Sequence, residues 1–166
     1  MKGVQKGFTL VEIMSVMAII SLLAALAMPN LLRTRVNANE ATAQVTLKTI
    51  NAALQTYYFA QSPPSYPSSL GTLANASPPY IIQEIATNTI SARIISLPSL
   101  PGYKGYIFRY SPGNTVGNVH YTYTLAAIPI DVGRTGTRYF LCTASGNILE
   151  VSQQTAIGAN PGTNGG

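Results

Sequence analysis

The chain opens with a short polar stretch and continues into one long apolar segment. From Phe8 to Met28 the only charged residue is Glu12. A helix of that length is roughly 31 Å long, which matches the hydrocarbon thickness of a bilayer. Lys2 and Lys6 precede it, and the positive-inside rule keeps such a basic end in the cytoplasm. The pattern therefore predicts a membrane-spanning helix over residues 8–28, with the rest of the chain on the far side.

The helical pattern continues beyond Pro29, where a missing hydrogen bond predicts a kink or a locally melted stretch. An amphipathic stripe follows, suited to packing on a sheet of the same chain. Its members are Val36, Ala43, Leu47, Ile50, Leu54 and Tyr57. A second, smaller face is suited to close approach of neighbouring helices, or is an ordinary surface of low polarity. Its members are Ala38, Ala41, Val45, Thr49, Ala52 and Thr56.

The C-terminal part changes to a Pro/Ser-rich loop region and then to strands. Loops with one short helix near residues 79–89 are expected over residues 62–104. Four strands are expected at Gly105–Tyr110, His120–Ile130, Thr137–Thr143 and Asn147–Val151, separated by turns at SPGN, VGRTG and ASGN. A meander of these strands against the helix predicts an α+β head over residues 62–152. Residues 153–166 are expected to form a flexible tail.

A secretory signal peptide and a plain signal anchor are two further interpretations of the N-terminus. The apolar run exceeds the usual 7–15 residues of a signal peptide, although the small residues of AALAMPN leave that cleavage open. Neither interpretation explains Glu12. A carboxylate within a spanning helix costs on the order of 3 kcal/mol and is usually functional and paired.

The segment Lys6-Gly7-Phe8-Thr9-Leu10-Val11-Glu12 resembles the type III signal of type IV prepilins. The ordered motifs extend to about Tyr58, and they include Pro29, where many relatives have a helix-bending proline. The resemblance implies a leader over residues 1–7, cleavage between Gly7 and Phe8 by a prepilin peptidase, and N-methylation of Phe8. It makes Glu12 an assembly residue that sets register by pairing with the Phe8 amine of a neighbour. It also implies the pilin fold, with a long helix over residues 8–61.

A type IV pilus subunit is the function that this resemblance implies, with adhesion, twitching motility or DNA uptake as its use. The alternative is a pseudopilin of a type II protein secretion system. The implied partners are further copies of the chain, minor pilins, the prepilin peptidase, a platform protein of the inner membrane and an assembly ATPase. The implied location is the inner membrane before assembly and an extracellular pilus afterwards, or a periplasmic pseudopilus. A single-pass protein that never polymerises is a third interpretation.

Composition and charge argue against other classes of function. The formal net charge is +5 without a Lys/Arg cluster, so no nucleic-acid partner is expected. Cys142 is the single cysteine and is expected to be a buried thiol. His120, Asp131 and Glu150 are too few and too scattered for catalysis, so no enzyme is expected. The same sparse acids predict no metal, and no cofactor is expected.

Overall fold

The computed structural model describes residues 7–91, 102–117 and 119–158. It is an α+β protein, and the chain divides between Arg35 and Val36 into two structural units. In chain order the elements are α1 (Leu10–Ala60), α2 (Leu70–Ala74), α3 (Gln83–Thr87), β1 (Thr89–Ser91), β2 (Tyr106–Val116), β3 (Val119–Pro129), β4 (Tyr139–Thr143), β5 (Ile148–Val151) and α4 (Gln153–Gly158). Helix α1 contributes residues to both units and confirms the predicted long N-terminal helix.

The first unit contains the N-terminal part of α1, and every described residue from Gly7 to Arg35 is exposed. An 18-residue window of α1 has a mean hydropathy of 2.4, and none of that window is buried within the chain. By length and composition the helix can cross a membrane, as predicted. Its assignment continues through Pro29, so the predicted locally melted stretch is absent. The predicted kink at Pro29 stays a prediction.

The second unit packs the C-terminal part of α1 on a five-stranded sheet of strand order β1-β2-β3-β4-β5. The predicted helix stripe is confirmed in its main members, because Ala43, Leu47, Ile50 and Leu54 are all buried in one core cluster. The facing sheet positions are aromatic or aliphatic and alternate along their strands. From the sheet the cluster contains Tyr106, Phe108, Tyr110, Tyr123, Leu125, Ala127, Phe140 and Cys142.

The strand predictions were correct for the four antiparallel strands and wrong at one turn. The chain does not turn at SPGN; β2 continues through Pro112, which pairs with Tyr123, and the reversal comes at Gly117 with φ +64°. Strand β1 pairs with β2 from Phe108 to Tyr110, so within the described residues no strand lies along this edge of β2 at Pro112. A proline without an N–H donor is tolerated at such an edge. The turns at VGRTG and ASGN are present.

Three short elements add to the predicted arrangement. Helix α3 lies within the short helix expected near residues 79–89, whereas α2 and the parallel pairing of β1 with β2 were not predicted. Helix α4 occupies the first part of the predicted flexible tail, which is a correction. Its Ala156 is fully buried with Ile128 and Leu141 on the second face of the sheet. That contact removes apolar surface from water and orders residues that look loop-like in sequence.

Candidate functional site

Thr9 and Glu12 form a reciprocal cap at the start of α1. The Glu12 N–H donates to Thr9 Oγ1 over 3.3 Å, while Glu12 Oε2 accepts from the Thr9 N–H and the Thr9 hydroxyl, each over 2.8 Å. This is the capping box expected of a threonine followed three residues later by a glutamate. It satisfies backbone donors that the first helical turn leaves unpaired. The sequence predicted an assembly role for Glu12, and this capping role is additional to it.

The predicted scissile bond lies just outside this cap. Gly7 and Phe8 precede the first helical residue, and Phe8 is 84% exposed. A Cβ added to Gly7 would meet no atom within 4 Å. The Gly7–Phe8 peptide is therefore accessible within this chain, and nothing nearby in the described residues shields it. Cleavage there would leave the new amine of Phe8 close in sequence to the Glu12 carboxylate.

The outward face of α1 is the second predicted assembly feature. All six residues of the predicted small face, from Ala38 to Thr56, are exposed in this chain. Thr49 and Thr56 of this face, and Thr42 of the same helix, use their hydroxyl groups within α1. Each hydroxyl donates a hydrogen bond to the backbone carbonyl four residues earlier. The face therefore presents methyl groups and short side chains rather than free donors. Such a surface permits another helix to approach closely.

Glu40 is a buried carboxylate that the sequence analysis missed. It is 2% exposed, and its Oε1 accepts from the Thr137 N–H and hydroxyl, both over 2.8 Å, and from the Arg138 N–H over 3.2 Å. The Nε of Arg138 donates to Oε2 over 2.6 Å. A second carboxylate, that of Glu150, lies 3.6 Å from the same guanidinium. These contacts join α1 to the segment that enters β4.

Burial and the hydrogen-bonding partners shift the pKa of the Glu40 carboxylate in opposite directions. Desolvation by burial raises the pKa of Glu40, but the hydrogen bonds from Thr137 and the charge of Arg138 together outweigh it, so the pKa lies below its usual value. The pKa of Arg138 is raised, first by its hydrogen bond to Glu40. The sequence did contain a signal, because Glu40 occupies the helical position between Val36 and Ala43 in the buried stripe. A charge at that position indicates a buried partner.

Further polar residues of α1 contact the sheet and its loops. Asn51 Oδ1 accepts from the Tyr123 hydroxyl, and Asn39 donates to the Thr135 carbonyl over 2.9 Å. Gln55 donates to the Ala144 carbonyl over 3.2 Å. Asn39, Asn51 and Gln55 belong to neither of the two helix faces predicted from the sequence, so these contacts were not predicted. Their contacts show that the buried side of α1 is defined by hydrogen bonds as well as by its apolar stripe.

The other residues singled out in the sequence do not come together. Cys142 is fully buried, as predicted, and burial raises the pKa of its thiol. Asp131 forms an ion pair with Arg134 over 3.5 Å, and His120 bridges to the loop at Tyr66 through its backbone carbonyl. Among the described residues no three His, Cys, Asp or Glu side chains cluster as a metal site. Asp131, His120 and Glu150 are therefore not assembled with Cys142 into one site.

Comparison with known proteins points to the N-terminal segment. The family model described as the prokaryotic N-terminal methylation motif matches residues 2–28. The chain is also 38% identical over 53 residues to the type IV major pilin protein PilA of Myxococcus xanthus (strain DK1622). That stretch is 32% of this chain and 24% of the relative, so the chain spans about a quarter of the relative's length. No solved structure matches the chain.

Proposed function

The chain has the N-terminal methylation motif of the type IV pilin family, and from this premise we propose that it is a structural subunit of a type IV pilus. The observation that carries the proposal is the bare apolar helix from Leu10 to Arg35, which no other part of the described chain covers. Apolar surface of that extent requires lipid or other helices around it. In a membrane-held precursor lipid would surround this helix, and in a filament other helices would surround it.

Processing at Gly7–Phe8 is the first step of the proposed mechanism. Hydrolysis of that peptide bond leaves a carboxylate on Gly7 and an amine on Phe8, which is then N-methylated. The Thr9–Glu12 cap supports this assignment, because it begins the helix immediately after the bond and leaves Gly7 and Phe8 outside it. A peptidase at the cytoplasmic membrane face then has a substrate bond outside the helix. Residues 1–7 are the proposed leader.

Assembly is the second step. Glu12 of an incoming subunit pairs with the Phe8 amine of its neighbour in the proposed filament. Both charges lie in an apolar environment, where each is costly alone and their pairing offsets part of that cost. Oε1 of Glu12 accepts no hydrogen bond within the described residues, so the carboxylate can keep its bonds to Thr9 and accept another donor. The subunit is thus a structural component rather than a catalyst.

The partners and location follow from the proposed assembly. The precursor spans the inner membrane with its N-terminus in the cytoplasm, and the head from residue 62 lies on the far side. Further copies, minor pilins, the peptidase, a platform protein and an assembly ATPase are the proposed partners. An extracellular pilus used in adhesion, twitching motility or DNA uptake is the proposed product.

Mass spectrometry of the N-terminal peptide, from membrane and sheared-surface fractions, tests the proposal. A peptide that starts at N-methylated Phe8 and is abundant in the sheared fraction is the expected result. The same peptide confined to the cell envelope would instead place the chain in a periplasmic pseudopilus of type II secretion. A peptide starting at Met1, or cleavage near Ala27, would overturn the filament proposal altogether.

A further inference from the structure

An apolar groove of about 660 Å³ lies in the second unit, between α1 and the segment that leads into α3. Its lining includes Val45 and Thr49 of α1, Tyr80 and Ile82 before α3, and Tyr103. Val45 is 62% exposed and Ile82 is 54% exposed. Two large, exposed apolar side chains therefore line this groove. Val45 and Thr49 also belong to the outward face of α1, so the groove continues the proposed packing surface.

Glu84 stands in sequence between Gln83 and Ile85, two residues that line the groove, so its carboxylate is the acid nearest to the groove along the chain. The chain has five acidic residues. Glu12 is held by its own helix cap, and Glu40 and Glu150 share one arginine. Asp131 pairs with the arginine three residues later. The exposed carboxylate of Glu84, in the first turn of α3 beside Ile82, has no hydrogen bond or ion pair with any described residue.

The chain also supplies a segment that complements this groove. Leu31 and Arg35 of α1 are four residues apart, so their side chains lie on the same face of the helix. Leu31 is 71% exposed, and Arg35 is exposed without an ion pair among the described residues. An apolar side chain followed one turn later by a cation matches an apolar groove with a carboxylate at one side. The Lys104 amine lies 5.9 Å from the centroid of the Tyr103 ring, so the Tyr103 end of the groove carries a positive charge that disfavours an arginine there.

We infer that this groove binds the Leu31–Arg35 segment of α1 from a second copy, with Leu31 against Val45 and Ile82 and Arg35 paired with Glu84. The inference rests on the proposed filament function and names the surface through which one subunit's head contacts its neighbour's helix. Each contact recurs at every subunit, so a modest pair energy is multiplied along the filament. The pairing also uses the acidic side chain that has no hydrogen bond or ion pair with any described residue.

A charge exchange in the full-length chain tests the ion pair. Glu84→Lys and Arg35→Glu should each reduce the yield of sheared filaments by about fivefold, the effect expected of one repeated ion pair turned repulsive. The double variant should restore most of that yield, because it restores the attraction with the signs reversed. Lys48→Glu is the matched control for a charge change on α1. In every variant the N-terminal peptide should still start at Phe8, which separates assembly from processing.

Disulfide cross-linking tests the apolar contact independently of charge. Leu31→Cys combined with Ile82→Cys should give a ladder of covalent oligomers from oxidised filaments, because only nearby cysteines can be bridged. The native Cys142 is buried and does not interfere. Each single variant, and Leu31→Cys combined with Leu149→Cys on the opposite edge strand β5, should give no ladder.

The outcomes separate this inference from the proposed function. Wild-type filaments together with no rescue in the exchange and no ladder would overturn the groove contact and leave the filament function intact. Protection of Ile82→Cys from a thiol reagent by lipid or another protein, without a ladder, would assign the groove to that occupant and overturn the contact too. A wild-type chain that forms no filaments would overturn both.

Discussion

The Nε of Arg138 donates a hydrogen bond to Oε2 of Glu40 over 2.6 Å, and this pair links α1 to the sheet. The two residues are 98 positions apart, so the contact closes the second unit between its first helix and its fourth strand. The Arg138 carbonyl also accepts from the Tyr106 hydroxyl over 2.9 Å. One residue therefore connects α1, β2 and β4. The fold of the head depends on a charged residue that sits in an otherwise apolar stripe.

Glu40→Ala should lower the free energy of unfolding by about 3 kcal/mol, because it leaves the N–H groups of Thr137 and Arg138 without their acceptor. Glu40→Gln keeps one acceptor oxygen and should lower it by less. Thermal unfolding of the full chain in detergent, followed by near-ultraviolet circular dichroism of the tyrosines, measures the change. Glu84→Gln is the matched control, since that carboxylate is exposed and unbonded. Equal melting temperatures for Glu40→Ala and Glu84→Gln would contradict the stabilising role of Glu40.

The stability that Glu40 contributes should depend on pH. Its pKa is lower in the folded chain than in the unfolded chain, so the contribution is complete above the unfolded value of about 4.3. It is lost as pH falls below that value through the folded pKa. Melting temperatures measured between pH 7 and pH 3 should fall more steeply for the wild type than for Glu40→Gln. Parallel curves would show that another group governs the acid sensitivity.

Buried tyrosines should make the head sensitive to alkali. Burial raises the pKa of Tyr66, Tyr106, Tyr110 and Tyr123 above the usual value near 10. Since the folded chain holds their protons more tightly, stability is complete below about pH 10 and decreases above it. Absorbance at 295 nm should therefore titrate in two phases, and the second should coincide with loss of the near-ultraviolet dichroism. A single phase with the fold intact would contradict this.

Periodicity predicted the elements that carry the fold, because apolar side chains repeat with the spacing of the surface they cover. Leu47 and Ile50 on α1 were placed against the sheet for that reason, and both are buried. Helix α4 has no such pattern, since it packs on the sheet through the buried Ala156 and the partly buried Ile157, which are adjacent in sequence. Its order comes from a surface formed by distant strands, which local sequence does not encode.

The candidate site also contains some residues that the sequence could predict and others that it could not. Gly7, Phe8 and Glu12 belong to a contiguous motif, so their order alone indicates the chemistry. Glu40 and Arg138 are distant in sequence, and their pairing depends on how β4 crosses α1. The sequence could have flagged Glu40 as an anomaly in the stripe, but only the fold identifies its partner. The groove beside α3 likewise joins Val45 to Ile82 across two separate segments.

Gly7→Val should abolish processing while leaving the fold unchanged. A side chain at Gly7 meets no neighbouring atom, so the substitution tests access to the scissile bond rather than folding. Membrane fractions should contain the full-length chain with Met1 retained, and sheared fractions should contain none. The melting temperature of the head should match that of the wild type. A peptide beginning at Phe8 in this variant would contradict the requirement for glycine before the cleaved bond, and a new start at another residue would show that cleavage is assigned to the wrong bond.

Glu12 has two roles in this account, and substitutions at Thr9 and Glu12 separate them. Glu12→Gln keeps an oxygen that can accept from the Thr9 N–H, and glutamine serves in capping boxes, but it removes the charge. Glu12→Ala removes both functions. Thr9→Ala removes the cap and keeps the charge, at a cost of about 1 kcal/mol to the start of the helix. The three variants should therefore differ if charge pairing governs assembly.

If Glu12 sets register by pairing with the Phe8 amine of a neighbour, Glu12→Gln and Glu12→Ala should both be cleaved, yet be impaired in filament yield or in N-methylation. Thr9→Ala should assemble nearly normally. The reverse order, with Glu12→Gln normal and Thr9→Ala impaired, would assign the residue to helix capping alone. Filament yield from sheared fractions and mass spectrometry of the Phe8 peptide, measured on the same cultures, decide between them. Capping acts within one subunit, whereas charge pairing requires two, so a loss of filaments with the helix intact would assign the cost of a carboxylate in this apolar helix to assembly.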